Sequence, residues 1–209
     1  TAAMPQGTGL DAFSRAFPER FFDVGIAEEH AVTFAGGLAA GGLKPYVAIY
    51  SSFFQRAYDQ IIHDVCIPDL PVTFCIDRAG IVGADGETHQ GILDLSFFAS
   101  IPGMTICAPK NKFELYDMMK FSLNFGHPLA IRYPRGDAYE GEREHRAPIV
   151  CGKSEILYEG EQVALVAVGS MVETAIQVKD YLAEAGLPAT VVNARFIKPL
   201  DTDMLDALA

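Results

Sequence analysis

Short apolar runs alternate along this chain with segments whose apolar positions recur every three to four residues. That pattern predicts strands alternating with helices. Residues 21–24 (FFDV) read as a first strand, and 28–40 as a helix stopped by Gly41 and Gly42. Residues 45–50 read as a second strand. Ser51 or Ser52 is placed to cap a helix over 53–65, with Phe54, Ala57, Tyr58, Ile61, Ile62 and Val65 as its apolar face. Residues 71–77 (PVTFCID) are apolar on both faces, as in a strand covered by helices on each side. A Gly-rich stretch over 78–91 follows, too long to be a mere connection and therefore a candidate functional loop.

A short helix is expected over 93–100 and a strand over 104–108. Asn111 then caps a helix, with Glu114 in the capping-box position and Gly126 past its end. Residues 128–133 read as another strand. Residues 136–148 are polar and charged and read as a linker. A second α/β pattern begins beyond it: strand 163–168, helix 172–184, strand 189–193 and a helix opening at Thr202. The fold class is therefore α/β: a doubly wound, mostly parallel sheet with helices on both faces, followed by the start of a smaller α/β domain. The expected division is 1–135, a linker at 136–150, and an incomplete second domain at 151–209.

Half of the 209 residues are hydrophobic and 21% are charged, which excludes disordered, collagen-like and coiled-coil classes. The formal net charge of −11 makes the chain a poor counterion for nucleic acid or anionic lipid. Neither a nucleic-acid partner nor a membrane span is expected. Cys66, Cys75, Cys107 and Cys151 form no CxxC pair and read as reduced thiols of a cytoplasmic protein. No metal-ligand pattern supports a metal site on this chain.

In an open parallel sheet, ligands gather beyond the carboxyl ends of the strands. Glu28, Glu29 and His30 follow the first expected strand. Tyr50, Phe53 and Arg56 follow the second. Arg78, Asp85 and His89 follow the third, and Arg135 follows the fifth. Carboxylate, imidazole, aromatics and arginines on one edge suit an anionic, phosphorylated substrate held by guanidinium forks. Plainer roles stay open. Acids in a helix's first turn are favoured by the macrodipole alone, Arg56 suits a solvated helix face, and Phe53 suits a core. The helix over 28–40 also contains Gly36 and Gly37, each costing roughly 1 kcal/mol relative to Ala. Small residues there point to the close approach of another backbone or a ligand.

The segments FFDVGIAEEHAVTFAGGLAAGG, KPYVAIYSSFFQRAYDQIIHDV, CIDRAGIVGADGETHQGILDLS and AIRYPRG resemble the pyrimidine-binding domain of the transketolase-like thiamine-diphosphate enzymes. The likeness is to the branch that condenses pyruvate with glyceraldehyde 3-phosphate, releasing CO₂ and forming 1-deoxy-D-xylulose 5-phosphate for isoprenoid and thiamine biosynthesis. VVNARFIKPLD resembles the opening of the family's C-terminal domain. The resemblance implies thiamine diphosphate as cofactor, with Glu28 bonded to the aminopyrimidine and Phe53 packed on its ring. It implies Glu28 and His89 as catalytic groups. Tyr50, Arg56, Arg78, Asp85, His89 and Arg135 then line the substrate pocket. It also implies a cytoplasmic homodimer. Mg²⁺ and the diphosphate would belong to an N-terminal domain with a Gly-Asp-Gly motif that these residues do not contain, so this chain alone is expected to be inactive. Alternatives from the same fold are a transketolase half, a 2-oxoacid dehydrogenase β subunit and a non-catalytic dimerisation module.

Overall fold

The computed structural model describes residues 1–209. In chain order its elements are α1 (Asp11–Ala16), α2 (Glu28–Ala40), β1 (Tyr46–Tyr50), α3 (Tyr58–Gln60), β2 (Thr73–Asp77), α4 (Asp94–Ser100), β3 (Thr105–Cys107), α5 (Lys112–Phe125), β4 (Leu129–Arg132), β5 (Glu155–Tyr158), β6 (Val163–Ala167), α6 (Met171–Glu184), β7 (Ala189–Asn193), β8 (Phe196–Lys198) and α7 (Thr202–Leu208). The chain divides into two compact units. One is Thr1–Met104 with Phe125–Arg135; the other is Thr105–Asn124 with Gly136–Ala209.

In the first unit β1 and β4 flank β2, all parallel, with Tyr50 opposite Asp77 and Ile76 opposite Arg132. Every residue of β2 is buried, as expected of a strand covered on both faces. Phe54 meets Phe74 and Phe98 edge to face, at 5.9 and 5.5 Å, and the three rings form the aromatic centre of the core. Arg132 is fixed under the sheet edge by a two-pronged bond to the buried Asp94, at 2.9 and 3.3 Å.

Two elements of this unit differ from expectation. Residues 21–24 are extended but belong to no strand. Their hydrogen bonds go to the N-terminal segment instead: the Thr1 ammonium donates to the Phe22 carbonyl, and the Val24 amide donates to the Thr1 carbonyl. The helix after β1 starts directly at Ser51 without a side-chain cap. It runs as a 3-10 helix over Ser51–Ala57, one α-turn in α3, and a π-helix over Ile61–Cys66. The hydroxyls of Ser51 and Ser52 are buried without a partner, so neither caps. Of the expected apolar face, Phe54, Ala57, Ile61 and Val65 are buried, while Tyr58 is exposed. The small-residue stripe of α2 has its reason here. A Cβ on Gly36 would lie 2.7 Å from the Asp64 carbonyl oxygen, so the backbone of the π-helix approaches α2 where only glycine fits.

In the second unit β6 and β7 are parallel and joined by α6, while β5 pairs antiparallel with β7. Leu157, Val172, Ala175 and Val191 form its apolar core. β3 and β8 pair antiparallel. Strands β5 and β8 are additions to the expected elements, and both are antiparallel, so the sheets are mixed. Asn111 does cap α5, its Oδ1 accepting from the Glu114 amide at 2.8 Å. Glu114 does not return the bond to the cap. Its carboxylate accepts from the Lys110 amide at 2.7 Å and from Arg195 Nε at 2.8 Å. Lys110 and Arg195 both reach Glu155 as well, at 2.8 and 2.7 Å. Two cations and two carboxylates thus neutralise each other, each side chain at most 7% exposed. A buried network of this kind is tolerable because each charge is paired and hydrogen-bonded. Burial alone would raise the Glu155 carboxyl, but the Lys110 ammonium, the Ala147 amide and the Arg195 guanidinium together hold it below its ordinary value.

Candidate active site

Parallel register brings the carboxyl ends of β1 and β2 level, so Tyr50 and Asp77 lie side by side. Arg78, the next residue, takes a left-handed backbone conformation with φ 57°, uncommon for a side chain of this size. Asp77 holds it there: one carboxylate oxygen accepts the Arg78 amide at 2.6 Å, and the other accepts the guanidinium at 2.9 Å. The guanidinium also donates to the Gly7 carbonyl at 2.6 Å and to Asp85 at 3.1 Å. Its flat face lies 3.8 Å from the centre of the Tyr50 ring, a cation–π contact. Arg78 is therefore among the most constrained side chains of the unit. The N-terminal turn completes this corner, because a Cβ on Gly7 would overlap the Tyr50 hydroxyl.

Asp85 sits in a one-turn 3-10 helix, Gly83–Asp85, within the Gly-rich loop. Its second oxygen lies 3.1 Å from Arg135 Nε, three residues beyond β4. His89 packs edge-on to Phe53 at 5.1 Å and is tilted against Tyr50 at 5.9 Å, while Tyr50 and Phe53 stack at 5.6 Å. Thr88 Oγ1 bonds to His89 Nδ1 at 2.9 Å. Phe53 and Arg56 are three residues apart on the 3-10 helix, and side chains at that spacing eclipse on one face. Arg56 in turn reaches the Glu28 carboxylate at 3.4 Å, a long contact to a group that is only 2% exposed.

The electrostatics follow from this packing. Burial pushes the Tyr50 phenol up, and Asp77 and Asp85 add to that while Arg78 and Arg135 oppose it. Burial also outweighs the Arg78 guanidinium at Asp77, whose carboxyl is held above its ordinary value. Behind the edge, burial takes the Cys75 thiol to about 12, so it stays protonated and is no nucleophile.

Eight sequence candidates are therefore connected. Tyr50, Phe53, Arg78, Asp85, His89 and Arg135 share one cluster, and Arg56 carries it to Glu28. Glu28 arrives by a different route from the one expected. Residues 21–24 are not a strand, so Glu28 opens α2 rather than following a strand end; it is the buried first residue of the helix, whereas Glu29 is exposed. His30 is exposed and lies against Phe34. Asp77 and Gly7 were not among the candidates. Asp77 sits at the end of an apolar strand and could have been found from its position beside Arg78. Gly7 carries no local signal, since its role depends on a contact with a residue 43 positions later. No three His, Cys, Asp or Glu side chains converge as a metal site, and no helix is long and apolar enough to cross a membrane.

A buried carboxyl and an accessible aromatic face are what an aminopyrimidine requires, a proton-sharing partner for a ring nitrogen and a flat surface for the ring; Glu28 is buried and Phe53 is half-buried. Glu28, paired with Arg56, and Phe53, packed beside Tyr50 and His89, are groups of these two kinds, so the residues present fit the pyrimidine end of thiamine diphosphate.

Residues 1–140 match the family model "Transketolase, pyrimidine binding domain", and 152–209 match "Transketolase, C-terminal domain". Among curated relatives, the 1-deoxy-D-xylulose-5-phosphate synthase of Lachnoclostridium phytofermentans is 61% identical over 208 residues, covering 100% of this chain and 33% of its own length. The synthase of Halothermothrix orenii is 58% identical over 206 residues, covering 98% of this chain and 32% of its own length. The chain thus spans about a third of the length of the curated relatives it matches. Among solved structures, "Split gene transketolase, inactive beta4 tetramer" superposes with a TM-score of 0.89 at 30% identity, covering 100% of this chain and 67% of that one. The transketolase of Campylobacter jejuni superposes at 0.78 with 23% identity over 85% of this chain and 28% of its own, a likeness of fold. The α/β units, the cluster at the strand ends and these matches together make this chain a member of the transketolase family, carrying its pyrimidine-binding domain and, beyond it, residues of its C-terminal domain.

Proposed function

We propose that this chain forms part of a 1-deoxy-D-xylulose-5-phosphate synthase, a cytoplasmic transferase that condenses pyruvate with glyceraldehyde 3-phosphate and releases CO₂. The observation that carries the reading is identity of 61% along the full chain to such a synthase, against 30% to the split-gene transketolase. The functional division we propose is 1–135 for the pyrimidine side, 136–150 as linker, and 151–209 as the start of the C-terminal domain.

Thiamine diphosphate, when bound, supplies the electron sink for decarboxylation. The chain's own residues do the rest. Glu28 holds a proton at the pyrimidine nitrogen from a site closed to water. Phe53 orients the ring. His89, bracketed by Tyr50 and Phe53, is the acid–base group for the acceptor aldehyde. Tyr50, Arg56, Arg78, Asp85 and Arg135 line the substrate pocket, and the arginines receive the acceptor's phosphate. The Mg²⁺ and diphosphate contacts belong to the rest of the polypeptide, and the working form is a homodimer. On its own the chain is inactive, in line with the inactive β4 tetramer named for its split-gene relative.

The test is turnover of the complete polypeptide with each substrate omitted in turn. CO₂ release from pyruvate that depends on glyceraldehyde 3-phosphate supports the reading. Release that serves other acceptors equally well, or ketol transfer without CO₂, assigns the chain to another branch of the family. Calorimetry of the chain alone should give weak binding of thiamine diphosphate, because the pyrimidine contacts are present without the diphosphate ones. Tight Mg²⁺-dependent binding would contradict the division of the site.

A further inference from the structure

Asp85 bridges two guanidinium groups that come from the ends of two different strands. One of its oxygens accepts from Arg78 Nε at 3.1 Å, and the other lies 3.1 Å from Arg135 Nε. Two oxygens of one anion shared between two arginine forks is the arrangement a phosphate group adopts in such a site. The carboxylate therefore stands where the acceptor's phosphate would make its contacts. Formal charge points the same way. Arg78 and Arg135 face Asp77 and Asp85, so the corner is neutral while Asp85 is in place. A dianion meets a net positive corner once that carboxylate leaves.

The two arginines and the aspartate are unequal in how firmly they are held. Arg78 is 13% exposed and keeps Asp77, the Gly7 carbonyl and the Tyr50 face whatever Asp85 does. Arg135 is 46% exposed and can follow an incoming anion. Asp85 rides on a turn bounded by Gly83 and Gly86, with φ of 36° and 83°, where the absent Cβ leaves the backbone free to change course.

We propose that Asp85 is a specificity-determining residue: its carboxylate occupies the arginine fork as a built-in rival of the ligand, and a phosphate dianion displaces it. An acceptor without phosphate has nothing to exchange for the two Asp85 contacts and leaves them closed. The proposal rests on the reading of this cluster as the acceptor's pocket, but its test does not need turnover.

The probe is inorganic phosphate titrated into the 209-residue chain by calorimetry. Asp85→Asn should bind phosphate about tenfold more tightly than the unmodified chain, a factor equal to about 1.4 kcal/mol. Adding Arg135→Ala to that variant should remove the gain. Unchanged or weaker binding by a folded Asp85→Asn chain, or no binding by either chain, overturns the proposal. If Asp85→Asn does not fold, the unmodified chain decides. The ¹³C resonance of the Asp85 carboxylate should move on saturation with phosphate, and an unmoved resonance overturns the proposal. Failure of the synthase reading would be seen separately, as absence of product with both substrates supplied.

Discussion

Replacing Arg135 and Arg78 by alanine should separate two jobs open to both, receiving the acceptor's phosphate and pairing with Asp77 or Asp85. Arg135 has a side chain 46% exposed and an ion pair to Asp85 at 3.1 Å. A pair so open to solvent contributes at most about 1 kcal/mol to stability. A charge-assisted bond to a substrate phosphate is worth about 1.5–3 kcal/mol, and each 1.4 kcal/mol is a factor of ten. Arg135→Ala in the complete enzyme should therefore raise KM for glyceraldehyde 3-phosphate by roughly ten- to a hundredfold, with KM for pyruvate little changed. The melting temperature should fall by no more than about 4 °C. Arg78 is different, since it is 13% exposed and is the guanidinium partner of the buried Asp77. Its removal leaves that carboxylate with the residue-78 amide alone, and stripping one member from a buried pair costs about 3–5 kcal/mol. Arg78→Ala should lower the melting temperature by roughly 6–20 °C as well as weakening the acceptor. Steady-state kinetics with each substrate varied, run beside a melting curve, reads both. An Arg135→Ala enzyme with an unchanged KM and a large loss of stability would refute this division, as would an Arg78→Ala enzyme as stable as the parent.

Three further outcomes are expected. Glu28→Ala should abolish turnover of the complete enzyme with the fold retained, while Glu29→Ala, at an exposed position, should cost little; equal losses measured side by side would mean the wrong carboxylate has been chosen. Glu155 is held below 4.5 in the folded chain, so its stabilising contribution is complete above that pH and is lost as pH falls through the lowered value; melting temperature followed from pH 7 downward should drop there and drop less in Glu155→Gln, and identical profiles would show that the network does not drive acid unfolding. Gly36→Ala should destabilise the fold despite alanine's better helix propensity, because the new methyl meets the Asp64 carbonyl at 2.7 Å; a melting temperature equal to or above that of the parent would show that α2 and the π-helix part without cost.

Much of the fold was legible because local signals agreed with tertiary ones. The helix over 28–40 and the strand over 189–193 emerged with the expected bounds. The misses have physical causes. Residues 21–24 carry strand chemistry, but a strand also requires a neighbour, and theirs is a single pair of bonds to Thr1. β5 and β8 are short, and β5 (EILY) opens with a charge whose partners, Lys110 and Arg195, lie 45 and 40 residues away. The 3-10 and π character of 51–66 leaves no mark on the spacing of its apolar residues. At the site, Arg78, Asp85, His89 and Arg135 were legible from their places after strands. Pairing of Arg78 and Arg135 with Asp77 or Asp85 is an alternative the sequence leaves open, and the ion pairs are present; which arginine is held firmly was not legible, since that depends on loop geometry that composition does not encode.

The central claim is that this chain completes a site that joins pyruvate carbon to a phosphorylated aldehyde. It is tested most directly by supplying the complete polypeptide with [2-¹³C]pyruvate and glyceraldehyde 3-phosphate and following the label by NMR. The expected result is label at the ketone carbon of a five-carbon 1-deoxyketose phosphate, formed only when both substrates are present and lost in Glu28→Ala. Label that stays in pyruvate, or that reaches any product equally well without the phosphorylated acceptor, would contradict it.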